Sequence, residues 1–300
     1  MKFSAMKPFF SVCIPTTNRG KTIYGTLCSL SNQRFRDFEA IVIDSGSTDN
    51  TRDEIKRFFS SQDFQNAPFP YIYRENSQKP VSIEDWNVPV KQAKGQYVAM
   101  LEGDDQFLPE HLEGAYNILK DEGNIGLYAT GSQRKARNHI GRYTSNEWLN
   151  LAAMMDDVPP PSEAIFIRQD SKGRPFLYND KDYQYSPEAD LYMQIAAAGY
   201  GAHISERCDV YRSPGSSNWG INTWHYFADR FVVLDKYKTV ITPDTYRKAI
   251  EFTTSRVVKR SITSKSLTNI LNVSRNVIRK TSFANYVKVM IKIAFRHQFI

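Results

Sequence analysis

The sequence predicts an α/β fold in which helices flank a mainly parallel sheet, followed by a helical C-terminal extension. Short apolar runs alternate with segments of helical periodicity up to Leu101, and this alternation is typical of parallel strands that are buried on both faces. Helical patterning returns near Asn222 and continues to the C-terminus, with an interruption around residues 261–268. The 300 residues, 41% of them hydrophobic, are enough for one large domain with an appendage.

Each predicted element follows from a local pattern. The first strand is an apolar run that ends at Pro15, and the polar turn at residues 44–49 can cap the helix that follows the second strand. Beyond Gly131 the pattern is irregular until a helix that begins at Pro187 and has Gly199 as its C-cap. In chain order we expect strands at residues 9–14, 39–43, 71–74 and 97–101 and helices from residue 23, at 51–59, at 82–93 and at 187–198.

The charge of the chain is concentrated at one end. Residues 256–300 carry ten Lys or Arg and no Asp or Glu, so the net charge of +7 describes this tail and not the body. We therefore do not expect a nucleic-acid-binding protein. Three widely spaced cysteines predict neither a disulfide framework nor a zinc site, and we see no signal peptide and no apolar run long enough to span a membrane. These observations favour a cytoplasmic enzyme.

Polar clusters follow three of the predicted strands, after Ile14, Ile43 and Leu101. Ligands of parallel sheets bind outside the carboxyl ends of the strands, so we expect these clusters to form one site. Asp104 and Asp105 are adjacent carboxylates, which are costly to bring together unless a positive charge lies between them. Mg²⁺ or Mn²⁺, shared with substrate phosphates, would supply that charge. The alternative is a polar turn that caps the helix after Pro109.

The three clusters, together with residues 186–191, carry a family resemblance that extends over roughly residues 8–215. The sequences are PTTNR at 15–19, VIDSGSTD at 42–49, YVAMLEGDD at 97–105 and SPEADL at 186–191. In this order they resemble family 2 glycosyltransferases, which have the Rossmann-like GT-A fold. The resemblance implies an inverting transferase that takes a sugar from a nucleotide-diphosphate sugar and uses Mn²⁺ or Mg²⁺.

The resemblance also implies roles for individual residues on the donor side. Pro15 and Thr16 would line the nucleotide, Asp44 would approach the base or ribose, and Asn76 would lie near the base. Asn87 would face the sugar. Asp105 would ligate the metal, and Asp104 would contact ribose or metal.

Two positions depart from the family pattern. Thr17 stands where an aromatic residue often stacks on the base, and Ser45 stands where a second acid accepts a base N–H. Because these are base contacts, UDP-sugar is only the default donor. The alternative for both residues is a plain loop position.

The acceptor hydroxyl needs a general base. Glu188 aligns with the family's acid in the pattern acid-x-Asp-Leu, where that acid is most often Asp. Asp190 is the second candidate, although an acid in the first turn of a helix is also favourable to the helix dipole alone. Asp180 and Asp182 are further candidates. Relatives with a histidine metal ligand place it near Pro214, where this chain has none, and His225 could substitute.

The basic tail predicts contact with a membrane. Lys288, Lys292 and Arg296 fall four residues apart on one helical face, beside apolar side chains. A basic amphipathic helix favours an anionic membrane surface, although a helix packed on the body with a solvated basic face has the same pattern. Membrane contact would suit a lipid-linked acceptor.

These patterns give one leading hypothesis for the function. A catalytic domain at residues 1–215, with a donor half at 1–110 and an acceptor half at 111–215, precedes a helical region at 216–300. The chain would be a hexosyl- or N-acetylhexosaminyltransferase that extends a lipid-linked or polysaccharide acceptor, such as lipopolysaccharide, at the inner membrane face. The alternatives are a non-catalytic sugar-nucleotide-binding protein of the same fold and a nucleotidyltransferase.

Overall fold

A computed structural model describes residues 7–76, 82–154, 158–179, 181, 187–213 and 223–263 of the chain. Asp180, Asp182 and the predicted tail helix with Lys288, Lys292 and Arg296 lie outside these residues. His225 falls within a helix, but its side chain is not among those described.

The elements alternate between strands and helices in the N-terminal third, as the sequence predicts. Here they are β1 (Phe10–Thr16), α1 (Ile23–Ser31), β2 (Phe38–Ser45), α2 (Thr51–Phe59), α3 (Gln62–Asn66), β3 (Tyr71–Asn76), α4 (Ile83–Gln92), β4 (Tyr97–Met100) and β5 (Asp105–Phe107). The rest comprises α5 (His111–Leu119), β6 (Ile125–Ala129), β7 (Gly141–Tyr143), α6 (Ser145–Met154), β8 (Ala164–Ile167), α7 (Pro187–Ala197), β9 (Gly201–Ile204), β10 (Val210–Arg212), α8 (Thr223–Tyr237) and α9 (Pro243–Thr263).

Eight of these strands form one mixed sheet in the order β3-β2-β1-β4-β8-β6-β9-β7. Strands β3, β2, β1 and β4 are parallel to one another, β6 is parallel to β9, and β8 and β7 pair antiparallel to their neighbours. The predicted mainly parallel sheet flanked by helices is therefore confirmed. The antiparallel β8 was not predicted, because its four residues follow a proline-rich segment and carry no periodicity.

The strands are continuous apolar runs because both faces of the sheet are covered. Side chains of β1 and β2 alternate between two buried clusters, one against α1, α2 and α5 and the other against α4, α6 and α7. The second cluster also takes in Phe231, Leu234, Tyr237 and Ile250 from α8 and α9. The C-terminal helices thus share the core of the catalytic body.

A second, two-stranded sheet forms at the carboxyl end of the large one. In it β5 pairs antiparallel with β10, and Asp105 lies opposite Arg212. The helix after Pro109 begins at His111 and receives no side-chain cap, so Asp104 and Asp105 do not form the capping turn that was the alternative for this pair. Gly199 lies two residues beyond the end of α7 with a φ of 97°, as a C-cap glycine does.

Candidate active site

The loops after β1, β2 and β4 are fastened to one another at the carboxyl edge of the sheet. Asn18, held at a φ of 51°, accepts a hydrogen bond from the Thr48 backbone N–H at 2.8 Å. Gly103 lies so close to the end of β1 that a Cβ there would come within 2.3 Å of Thr16 Oγ1. The Thr22 hydroxyl donates to the carbonyl of the same glycine at 2.9 Å. The structure therefore brings the three strand-end clusters into one site, and Gly103 is the residue that permits their contact.

Asp104 and Asp105 face different arginines. Arg19 Nε lies 3.2 Å from Asp104 Oδ2, and Arg212 Nε lies 3.5 Å from Asp105 Oδ2. The Asp104 side chain is 8% exposed, whereas that of Asp105 is fully buried. Burial raises the pKa of Asp105, and the positive charge of Arg212 opposes this shift. Arginines thus provide part of the positive charge that the sequence led us to assign to a metal alone.

Arg212 belongs to a largely buried network of charges that the sequence did not reveal. Its guanidinium lies 3.4 Å from Glu102 and 3.8 Å from Glu163. Glu163 is held in turn by Arg137 at 2.8 Å, and both of these side chains are almost fully buried. Burial, followed by repulsion from Asp105, raises the pKa of Glu102 to about 7. These residues come from four distant segments, and no spacing in the sequence connects them.

The two aspartates suit a hard divalent cation as partial ligands. Both oxygens of Asp105 are buried; Arg212 lies 3.5 Å from Oδ2, and hydrogen bonding to Ser162 and to the Ser213 backbone also favours the charged form. Carboxylates are the ligands that Mg²⁺ and Mn²⁺ prefer, and such ions often take only one or two from the protein and the rest from substrate phosphates and water. In the described segments no group of three acids, histidines or cysteines is arranged to hold a metal by itself.

The end of the site at β2 and β3, on the other side of β1 from Asp104 and Asp105, is lined by short polar side chains. Asp44 accepts hydrogen bonds from the backbone N–H and the hydroxyl of Ser47, which shape the turn after β2. Thr17 donates to the Ser45 carbonyl at 2.8 Å, so this side chain fastens β1 to β2. Asn76 ends β3 and is exposed. Pro15 and Thr16 end β1 and are buried. Because β1 lies between β2 and β4 in the sheet, they separate this end of the site from the end at Asp104 and Asp105.

Asn87 has a different environment from the one predicted. Its amide donates to the Tyr178 carbonyl at 2.7 Å and accepts from the Tyr178 N–H at 2.8 Å. The side chain is buried, so these bonds fasten α4 to the segment before α7. This geometry does not favour the predicted contact between Asn87 and the sugar, because both polar groups of the Asn87 amide are hydrogen-bonded to the backbone of Tyr178.

Glu188 lies in the first turn of α7 and is buried. Burial raises the pKa of its carboxyl to about 8; the backbone N–H of Glu188 lowers it, and the charges of Glu102 and Asp229 raise it further. Glu102 is one of the charges around Arg212. A buried carboxylate with a raised pKa is a stronger base than one in water, which suits proton abstraction.

Asp190, the second candidate base, is tied to the C-terminal helices. Lys236 of α8 lies 2.7 Å from Asp190 Oδ1 and 2.9 Å from Oδ2, and the Gln194 amide donates to Oδ2 at 2.7 Å. The carboxylate is fully buried. These contacts give Asp190 a structural role in joining α7 to α8, and they do not favour its selection as the base.

This ion pair leads to a prediction about stability. Lys236→Gln is expected to lower the free energy of unfolding by about 1–2 kcal/mol, because it leaves a buried carboxylate without its cation while the exposed part of the lysine limits the loss. Lys238→Gln is the matched control, since its partner Asp235 is 3.8 Å away and both side chains are exposed. Urea unfolding of the two variants measures the difference. Equal stabilities would contradict a structural role for the pair.

Comparison with known proteins points to one family. Residues 11–167 match the family model described as Glycosyl transferase family 2. The UDP-Glc:alpha-D-GlcNAc-diphosphoundecaprenol beta-1,3-glucosyltransferase WfaP of Escherichia coli is 25% identical over 202 residues, which are 67% of this chain and 75% of that protein. The poly(ribitol-phosphate) beta-N-acetylglucosaminyltransferase TarP of Staphylococcus aureus is 33% identical over 135 residues, and the match spans 43% of this chain and 38% of TarP.

Solved structures share the fold. The structure of S. aureus TarS 1-349 in complex with UDP-GlcNAc superimposes with a TM-score of 0.72 at 18% identity, over 98% of this chain and 92% of that one. A mannosyltransferase from Pyrobaculum calidifontis in complex with GDP-Man and Mn²⁺ superimposes with a TM-score of 0.60 at 15% identity, over 96% of this chain and 87% of that one. Glu188 lies beyond the residues that the family model matches.

Proposed function

The chain belongs to glycosyl transferase family 2, and from that premise we propose that it is an inverting transferase that moves a sugar from a UDP-sugar to a hydroxyl of a lipid-linked or polymeric acceptor. The observation that carries the proposal is the joining of three strand-end loops around Asp104 and a fully buried Asp105. Two carboxylates at such a site suit a ligand that brings further positive charge, such as a divalent cation that the phosphates of a nucleotide share.

The donor occupies the carboxyl edge of the sheet in this proposal. The nucleotide lies along the ends of β3, β2 and β1, against Asn76, Asp44 and the Pro15–Thr16 segment, and the diphosphate reaches Asp104 and Asp105. A divalent metal bound there would offset charge that develops on the departing diphosphate. Arg19 lies beside Asp104 and Arg212 beside Asp105, and both add positive charge to this end of the site. Asp105 is the firmer metal ligand, and Asp104 shares contact with the ribose.

Glu188 acts on the acceptor side. Its carboxylate takes the proton of the acceptor hydroxyl, the hydroxyl oxygen forms a bond to the anomeric carbon, and the bond from that carbon to the diphosphate breaks with its electron pair on the diphosphate. Attack from the face opposite the leaving group inverts the configuration. Burial of Glu188 supports this role because it keeps water from the base and raises its basicity.

The names of two relatives support a class of acceptor. The name of WfaP includes alpha-D-GlcNAc-diphosphoundecaprenol, and the name of TarP includes poly(ribitol-phosphate). We therefore propose a phosphate-bearing acceptor of surface-glycan synthesis, either lipid-linked or polymeric. The basic tail, which lies outside the described residues, would hold the protein to the inner face of an anionic membrane. In the described part of the chain no helix is both long and apolar enough to cross a bilayer.

Product analysis tests the proposal against its alternatives. The protein is incubated with Mn²⁺ and a panel of sugar nucleotides, with and without an undecaprenyl-diphosphate-linked acceptor. Release of nucleoside diphosphate that depends on acceptor is the expected result. Release of pyrophosphate would indicate nucleotidyl transfer, and binding without any release would indicate a non-catalytic sugar-nucleotide-binding protein.

A further inference from the structure

Asp85 is a buried acid that joins the ends of two strands at the far end of the site. The last residues of β2 and β3, Ser45 and Asn76, are partners in the sheet register. Both donate to the same oxygen: Ser45 Oγ lies 3.0 Å and Asn76 Nδ2 lies 3.1 Å from Asp85 Oδ1. The other oxygen, Asp85 Oδ2, accepts from the Ser82 N–H at 2.8 Å in a capping box at the start of α4.

The carboxylate determines which hydrogen-bonding groups remain for a ligand. An ionised carboxylate only accepts, so the hydroxyl hydrogen of Ser45 and one amide hydrogen of Asn76 must point toward Asp85. With its NH₂ group turned inward, the Asn76 amide has its carbonyl oxygen on the opposite side. Asp85 is 5% exposed, whereas Asn76 is exposed. The corner therefore presents acceptor oxygens to the crevice.

We propose that Asp85 is a positioning residue that makes this corner an acceptor for a ring N–H, so that the chain selects uracil over cytosine. The proposal rests on the proposed function, which places the base of the donor at Asn76. Uracil carries a hydrogen on N3, whereas cytosine has a lone pair there. Cytosine would set this lone pair against the amide oxygen and leave both groups without a partner, which weakens its binding relative to that of uracil.

Substituting Asp85 with asparagine is expected to abolish or reverse this preference. The Ser82 N–H still requires an acceptor, so the new amide keeps its oxygen toward Ser82 and turns its NH₂ group toward Asn76. Asn76 then turns its own oxygen inward and presents NH₂ to the base. The new corner donates a hydrogen bond, which suits N3 of cytosine.

Calorimetry with UDP, CDP and 3-methyl-UDP in the presence of Mg²⁺ tests the proposal. The natural chain is expected to bind UDP at least about tenfold more tightly than CDP and 3-methyl-UDP, which lacks the N3 hydrogen. In Asp85→Asn the UDP-to-CDP preference is expected to fall at least about tenfold, with UDP affinity lost and CDP affinity kept or raised. Glu84→Gln, a neighbouring exposed acid on α4, is the control and is expected to keep the natural preference.

The results separate this inference from the function on which it rests. Equal affinities of the natural chain for UDP and 3-methyl-UDP would overturn the inference without any variant, even if Asp85→Asn did not fold. An equal fall in UDP and CDP affinity in Asp85→Asn would also overturn it, because a purely structural role weakens both. Failure of the natural chain to bind any nucleoside diphosphate would instead overturn the proposed function itself.

Discussion

Replacing Asp105 with asparagine is expected to weaken UDP binding in the presence of Mn²⁺ by at least about 100-fold, which corresponds to roughly 2.7 kcal/mol. The carboxylate is fully buried, and Arg212, Ser162 and the Ser213 backbone favour its charged form, so we expect that charge to be available to a metal that the diphosphate shares. An amide of the same shape removes that charge and one ligand oxygen. Calorimetry gives the affinity for UDP, and electron paramagnetic resonance gives the fraction of Mn²⁺ bound.

The design of this experiment separates binding from folding. The thermal midpoint of Asp105→Asn is expected to be unchanged or higher, because burial disfavours the charged form of Asp105 in the folded state. Asp121→Asn, an acid with an 81% exposed side chain, is the control and is expected to leave both binding and stability unchanged. Asp104→Asn is expected to cause a smaller loss than Asp105→Asn. Unchanged Mn²⁺-dependent affinity in Asp105→Asn would remove Asp105 from the metal site.

Substituting Glu188 with glutamine is expected to lower kcat by about 10²–10⁴-fold while UDP affinity stays within a factor of two, because the amide cannot take the acceptor proton. With a pKa of about 8, the natural carboxyl is mostly protonated at neutral pH. Only the deprotonated form acts as a base, so kcat/KM is expected to rise with pH and level off above about pH 8. Residual turnover in the glutamine variant is expected to lack this rise. The same rise of kcat/KM with pH in the variant would exclude Glu188 as the base.

The same substitution is expected to increase stability at high pH. A carboxyl whose folded pKa is raised stabilises the fold fully below its unfolded pKa of 4.5, and this contribution is lost as the pH rises through about 8. Glutamine mimics the neutral form and escapes the loss, so Glu188→Gln is expected to unfold at a higher temperature than the natural chain at pH 9, by an amount equivalent to about 1 kcal/mol or more. At pH 4 the two are expected to be similar. Glu206→Gln, an exposed acid, is the control and is expected to show no such divergence.

The parts of the fold and site that the sequence predicted are those carried by local patterns. Continuous apolar runs placed β1 to β4, and the polar residues that follow them placed Asp44, Asp104 and Asp105 at one edge, because the carboxyl ends of parallel strands meet there. The family motifs added the order in which a donor would lie along that edge. These inferences needed only the spacing of apolar residues along the chain and the positions at which the apolar runs end.

The parts that the sequence did not predict depend on contacts between distant segments. Arg212 reaches Asp105 because the three-residue strand β10 pairs with β5, and such a short strand has no readable period. Asp85 accepts from Ser45 and Asn76, which lie 40 and 9 positions away in the chain, so its sequence neighbours do not reveal this contact. The pairing of Asp190 with Lys236 likewise joins residues 46 positions apart.

The embedding of α8 and α9 in the second buried cluster matters for anyone who shortens this chain for expression or crystallisation. A cut at residue 215, where sequence composition changes, would remove Lys236 from Asp190 and uncover apolar side chains of α6 and α7. Glu188 lies on the first turn of α7, so a truncation that loosens this helix also misplaces the proposed base. A fragment that ends near Thr263 would retain these contacts and allow the basic tail to be studied separately.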